Sequence, residues 1–320
     1  MSGQGTIDCV GDGNCFPIGQ SSLSNEPPLP ERFYELDDFH GPLAWLSDVA
    51  VILLCVSVAS RWTVLYPLAV LMIGARQRAL ATLLHDAAHL TLVKTRFLND
   101  LLGAWASGYL IFQSLHAYRF SHVGGHHGKF GTADDPDYVF HLGLGLYGRF
   151  GPGQLWRGFV CYARYLVVNR LSLSTVKNGE LLKMSVLWLV LIWWAGVETV
   201  VLFWLFPMLV SFGPIGYLIE IGEHWPLMRS SRPLYQTRNR ASSWIESCLF
   251  SIHAENFHLL HHLYPRLPFK SMKEADAHLA SIWPDYRVWN DANGGILLSA
   301  NDAPSLVRQL INASKEEVEQ

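Results

Sequence analysis

The sequence is poor in charge. Only 16% of its 320 residues are Asp, Glu, Lys or Arg, against about 25% in an ordinary soluble domain. Half of the residues are hydrophobic, and the mean hydropathy is positive at +0.17. The deficit points to a chain embedded in lipid. The net charge of −3 gives no reason to expect a nucleic-acid partner. Cys9, Cys15, Cys55, Cys161 and Cys248 are scattered, with neither metal-site nor disulfide spacing, as suits reduced thiols in a reducing compartment. No charged stretch followed by an apolar run opens the chain. Residues 1–41 are polar, acidic and Gly/Pro-rich, and read as a poorly ordered cytoplasmic tail rather than a leader peptide. Three motifs are also missing: a His-Glu-x-x-His zinc site, a dinucleotide fingerprint set between a strand and a helix, and a His-Pro-Gly-Gly haem motif.

What the sequence does have is four apolar stretches in two pairs. Crossing a hydrocarbon core takes about 20 mostly apolar residues. Leu43 to Ala59 and Trp62 to Leu80 form the first pair, parted at Arg61. The second pair lies between Leu181 and Ile221 and turns near Gly196 to Glu198. The shorter run from Leu101 to Leu115 reads as a re-entrant or interfacial helix. Lys94, Arg96, Arg164, Arg170, Lys177, Arg229, Arg232, Arg238 and Arg240 gather on one side of these spans, with only Arg61 on the other. Positive charge marks the cytoplasmic side, so both termini and the middle loop are predicted to be cytoplasmic. The expected fold is an all-α integral membrane protein: about four transmembrane helices with a cytoplasmic helical cap. Residues 42–285 form its body and 286–320 a cytoplasmic C-terminal segment. Trp45, Trp62 and Trp225 lie near span ends, where an interfacial belt and core packing both account for them.

Nine of the fourteen histidines fall in four places that this topology puts on one side. His85 and His89 lie four apart at the end of the second span, which on a helix stacks both rings on one face. His122, His126 and His127 lie in the middle loop. His258, His261 and His262 follow the fourth span, and His224 stands alone at its end. Imidazole suits Fe, Zn and Cu alike, so ligand type alone does not choose the metal. Nine ligands exceed what one zinc takes, and the count favours two metals. The paired Glu-x-x-His motifs of soluble carboxylate-bridged di-iron bundles are absent. His40, His116, His141, His253 and His278 lack partners at ligand spacing and read as structural.

The order HxxxH, HxxxHH, HxxHH resembles the three histidine boxes of the membrane fatty acid desaturase superfamily, which includes acyl desaturases, hydroxylases and carotenoid ketolases. The segment from Asn256 through His258, His261 and His262 to Pro265 is similar to its third box. The resemblance covers roughly residues 43 to 280. It implies two Fe ions (ferrous when reduced), O2 as co-substrate, and His85, His89, His122, His126, His127, His258, His261 and His262 as ligands, with His224 as a ninth. It also places Asn256 where a polar residue could reach metal-bound water, although an Asn before a helix is equally an N-cap. The run from Gly131 to Tyr138 is similar to carotenoid ketolases. There Asp134, Asp135 and Asp137 either hydrogen-bond ligand histidines or only cap a turn. Asp86 carries the same two readings.

The reaction implied is oxidation of an unactivated C–H bond in a lipid, first of all by a fatty acid or acyl-lipid desaturase. Hydroxylation, ketolation and alkene-forming decarboxylation would use the same ligands. Electrons would come from a separate ferredoxin, rubredoxin or cytochrome b5-type donor. A histidine-rich metal transporter is the rival from another class. Its site would sit near the bilayer midplane, whereas these boxes fall at span ends and in loops.

Overall fold

The computed structural model describes residues 7–10, 14–17, 26–143, 152–171 and 178–316. Lys177, used above for orientation, lies outside them. A short antiparallel hairpin, β1 (Ile7–Val10) and β2 (Asn14–Pro17), precedes a body that is helical throughout.

The body is built around α2 (Tyr66–His89), which packs against α1 (His40–Arg61). Pro67 opens α2, where a missing N–H costs nothing. An Ala/Leu-rich interior sustains it. The first helical stretch after it is α3 (Arg96–Leu101), continued by a π-helical turn at Leu102–Gly108 and a 3-10 turn at Tyr109–Ile111. The next is α4 (Leu115–Arg119), continued by a π-helical stretch at Phe120–His127. Then come α5 (Pro136–Gly143), α6 (Pro152–Leu171) and α7 (Asn178–Ala195). Gly196, at φ +83°, breaks the chain at the predicted turn. A long run follows from α8 (Val197–Val200) through two π-helical stretches to α9 (Gly213–His224). The last five helices, called the cap below, are α10 (Trp244–Phe250), α11 (His258–Leu263), α12 (Met272–Ile282), α13 (Pro284–Asp291) and α14 (Leu306–Glu316). Gly143, Gly145 and Gly148 have the spacing of a dinucleotide fingerprint, but they begin at the end of a helix rather than a strand, and 144–151 lie outside the described residues.

Among the described residues, three helices are long and apolar enough to cross a membrane: His40–Arg61, Thr63–His89 and Val197–Arg229. The stretch expected to supply the third span became α7, whose first two turns carry Glu180 and Lys183. Glu180 is tied down by Ser114, whose hydroxyl donates to Oε2 at 2.8 Å. The Leu101 to Leu115 run lies against α2, with Leu102, Ile111 and Leu115 in the same core as Leu80, Leu83 and Leu84.

Irregular helices need help in a dry interior, because π and 3-10 turns leave carbonyls poorly matched. Tryptophans from three helical stretches supply it. Trp45, Trp188 and Trp204 donate through Nε1 to the carbonyls of Ala106, Tyr109 and Leu110 at 2.6, 3.0 and 2.9 Å. Gln77 and Tyr66 likewise reach the carbonyls of Trp204 and Leu202 in the π-helical part of the fourth predicted span, each at 2.8 Å. Trp45 is thus a hydrogen-bond donor to a neighbouring segment.

Glycine allows the closest approaches to α2. A Cβ on Gly74 would collide with Ser211 and the Phe212 backbone, and one on Gly103 with Ala87. Gly74→Val is expected to cost about 1–3 kcal/mol or more through overpacking, read as a lowered melting temperature in detergent. An unchanged midpoint would show that the two helices part easily.

The ends of the chain are not loose where described. Leu29 and Phe33 are buried beside Leu259, Leu263 and Leu279, and Thr95 Oγ1 donates to Asp38 at 2.6 Å. Residues 26–39 are therefore folded against the cap. Beyond residue 285, Tyr286 is fully buried and Leu306 and Leu310 pack beside Ile219 and Ile221. Glu246 accepts from the backbone N–H groups of Ile296, Leu297 and Leu298 at 2.7, 2.7 and 2.8 Å. The C-terminal segment is continuous with the body.

Candidate metal centre

All nine histidines of the four places meet at the end of α2. Local sequence explains how. In α11, Leu259, Leu260 and Leu263 are buried in the cap core, which turns His258, His261 and His262 to the other side. The π-helical stretch 120–127 brings His122, His126 and His127 to one place although their spacing is not that of an α-helix. α2 and α9 end at His89 and His224.

The ring nitrogens form two sets. His85, His89, His122, His127 and His261 each offer one nitrogen, all within 4.8 Å of one another. His126, His224 and His262 form a second set by the same measure. His258 joins it, with Nε2 at 2.9 Å from that of His224 and 3.0 Å from that of His262. Such spacings match the edges of a coordination polyhedron. Two ligands about 2.1 Å from one ion and at right angles to each other are about 3.0 Å apart. His261 and His127 are also 3.0 Å apart, and His126 and His262 are 3.4 Å apart. Nε2 of His85, His89 and His122 is buried without a hydrogen-bond partner, which costs about 1–3 kcal/mol per group in a structure that gives nothing back. A bound cation would recover that cost, so the donor set fits a pair of metals.

Carboxylates hold the opposite ring edges. His85 Nδ1 lies 3.0 Å from Asp86 Oδ1, and His126 Nδ1 lies 3.0 Å from Asp135 and 3.3 Å from Asp137. His258 Nδ1 lies 3.3 Å from Glu223. A carboxylate only accepts, so each Nδ1 carries the proton and each Nε2 presents its lone pair to the cluster. The two readings of Asp135 are both realised: it touches His126, and it also accepts from the backbone N–H groups of Gly131 and Asp137 at 2.8 and 2.9 Å. Asp134 does not take part. It is exposed and lies 3.7 Å from Lys129. Asn256 turns away from the cluster, donating to the Arg240 carbonyl at 3.3 Å, and the N-cap of α11 is Phe257.

Glu220, Glu223 and Arg240 went unassigned from sequence. Glu223 is nearly fully buried and also takes a hydrogen bond from Arg240 at 3.0 Å. Glu220 pairs at 2.9 Å with His141, which is fully buried and stacked edge-on to His224. Acidic residues inside a candidate span are costly and call for a partner, and that signal was available in Glu220 and Glu223. Glu255 and His258 form one Glu-x-x-His, but this carboxylate pairs with Arg78 on α2. The other histidines read as structural have ordinary partners: Asp37 for His40, Asp48 at 2.7 Å for His253, and the Phe33 ring for His278. His116 lines a cavity of about 750 Å³ that opens beside the cluster.

Burial, then the crowding of neighbouring rings, holds His122, His127, His258, His261 and His262 well below the usual histidine range. For His126 burial acts the same way, but Asp137 and Asp135 outweigh it and raise the ring. The five depressed rings stay neutral when folded, while the unfolded chain takes up protons as pH falls below about 6.5. Their contribution to stability is therefore present above that pH and lost below it. The metal-free protein is expected to melt several degrees lower at pH 5.5 than at pH 7.5. A flat profile would contradict the crowding.

The sequence profile of the fatty acid desaturase family matches residues 61–291. The chain is 32% identical over 312 residues to the dihydrorhizobitoxine desaturase of Bradyrhizobium elkanii, covering 89% of this chain and 88% of that protein. It is 24% identical over 300 residues to a chloroplastic omega-6 fatty acid desaturase of Glycine max, covering 81% and 67% of the two chains.

Proposed function

Because the chain belongs to the fatty acid desaturase family, we propose that it is a membrane-bound oxidoreductase that uses O2 and two irons to introduce a double bond at an unactivated C–H position. The observation that carries this reading is the division of nine ring nitrogens into a set of five and a set of four. His85, His89, His122, His127 and His261 would hold one iron, and His126, His224, His258 and His262 the other. When bound, the pair would supply O2-dependent removal of hydrogen from carbon. The chain's own residues do the rest. Asp86, Asp135, Asp137 and Glu223 fix which ring nitrogen carries the proton. The cavity beside His85, His122 and His261 holds the substrate. Dense packing of α2 against the segment after it limits water.

The topology we propose has four crossings: α1, α2, α7 and the run ending in α9. The histidines and both termini lie on the cytoplasmic side, and a separate ferredoxin, rubredoxin or cytochrome b5-type protein delivers the electrons. The two relatives are named for different substrates, and the reaction reading holds for either.

Metal analysis of the detergent-purified protein is expected to find two irons per chain, with O2 uptake once a ferredoxin and its reductase are supplied. Stoichiometric zinc without O2 uptake would overturn the proposal.

A further inference from the structure

The cavity beside the histidines is walled by more polar groups than the histidines need. Glu220, Glu223 and Asp137 are committed to His141, His258 and His126. Two charged groups of α2 that line the cavity are not fully committed. Asp86 is 6% exposed and lines the cavity. Its Oδ1 meets His85, while its Oδ2 is buried without a partner. Arg78 also lines the cavity. It pairs with Glu255, but its Nε is buried without a partner. Thr82 lies between the two on the same helix and lines the same space, so positions 78, 82 and 86 make one stripe at four-residue spacing. Gln113 and His116 also line the cavity.

An acyl chain would pack against Phe257, Phe269 and Met272 elsewhere in the lining, but it gives these two charged groups nothing. Methylene groups packed against a buried guanidinium N–H and a buried carboxylate oxygen leave both unsatisfied, which is more costly for charged groups than for neutral ones. The wall asks for an acceptor near residue 78 and a donor near residue 86. At 1.5 Å per residue the two positions are about 12 Å apart along the helix axis.

We infer that the substrate is a short polar molecule with an acid group at one end, read by Arg78, and an amine or hydroxyl at the other, read by Asp86 next to the metal-facing His85. The inference rests on the proposed reaction only in taking this cavity as the substrate site. It replaces the acyl lipid expected from the family resemblance.

The test is binding to full-length, iron-loaded protein in detergent, using ω-aminooctanoic acid, octanoic acid, octylamine and oleic acid as probes. Wild-type protein is expected to bind ω-aminooctanoic acid at least tenfold more tightly than any of the other three. The paired variant Arg78→Gln/Glu255→Gln removes both charges together and should bring ω-aminooctanoic acid and octylamine to equal affinity. Asp86→Asn should do the same for ω-aminooctanoic and octanoic acids. Tightest binding of oleic acid to wild-type protein, which needs no variant to fold, would overturn the inference. So would full discrimination by the paired variant. Iron is counted on the same sample: two irons without probe preference defeat the substrate class alone, and probe preference without iron defeats the metal reading alone.

Discussion

His261→Ala is expected to reach the membrane, keep its helices and lose more than about 100-fold in turnover, since even the loss of a group that only orients a metal ligand costs 10–100-fold. His261 is the position where the cap meets the body. Its ring packs within 4.8 Å of those of His85, His89 and His127, centre to centre, and its Nε2 lies 3.0 Å from that of His127. Removing it takes one donor from the set of five and opens a void that water enters. Iron content should fall along with turnover. Wild-type activity in this variant would take His261 off the ligand set. His278→Ala, whose ring rests on Phe33 far along α12, is expected to stay near normal. His141→Ala is not the silent control that its isolation in the sequence implies, because its loss strands the carboxylate of Glu220 beside His224.

Glu223 should show the second large effect, divided by the choice of substitution. Its carboxylate is shared between Arg240 at 3.0 Å and His258 Nδ1 at 3.3 Å, and both Glu223 and Arg240 are 2% exposed. Glu223→Ala leaves the guanidinium buried and unpaired, a loss of about 3–5 kcal/mol that should appear as unfolding or failed expression. Glu223→Gln keeps the volume and one acceptor. It should fold, but with iron held about 10–100-fold more weakly, measured as release to a chelator at fixed pH. Equal iron retention in Glu223→Gln and wild-type protein would show that His258 needs no charged partner.

The histidine cluster was legible in the sequence because its signals are local. Spacing of four on a helix and of three plus one at His258, His261 and His262 survives any uncertainty about the fold. The spans were legible for the same reason, since apolar length is a property of consecutive residues. The stretch that became α7 was less so: it joins an apolar end to a start that carries Glu180 and Lys183, and only the contact of Glu180 with Ser114 shows where that start is tied. The irregular helices left no trace, because what permits them is distant. Trp188 and Trp204 lie 79 and 94 residues from the carbonyls they satisfy.

By itself, then, the sequence pointed to the reaction class: nine imidazoles at the ends of apolar stretches and in the loops beside them. The tertiary structure decided how the nine divide into five and four, which carboxylate stands behind which ring, and what faces the substrate. Those are contacts between residues up to 176 apart, as with His85 and His261. Charge and hydrogen bonding act through space, so a residue such as Arg78 has no readable role until folding sets it on the wall of the cavity beside the histidines.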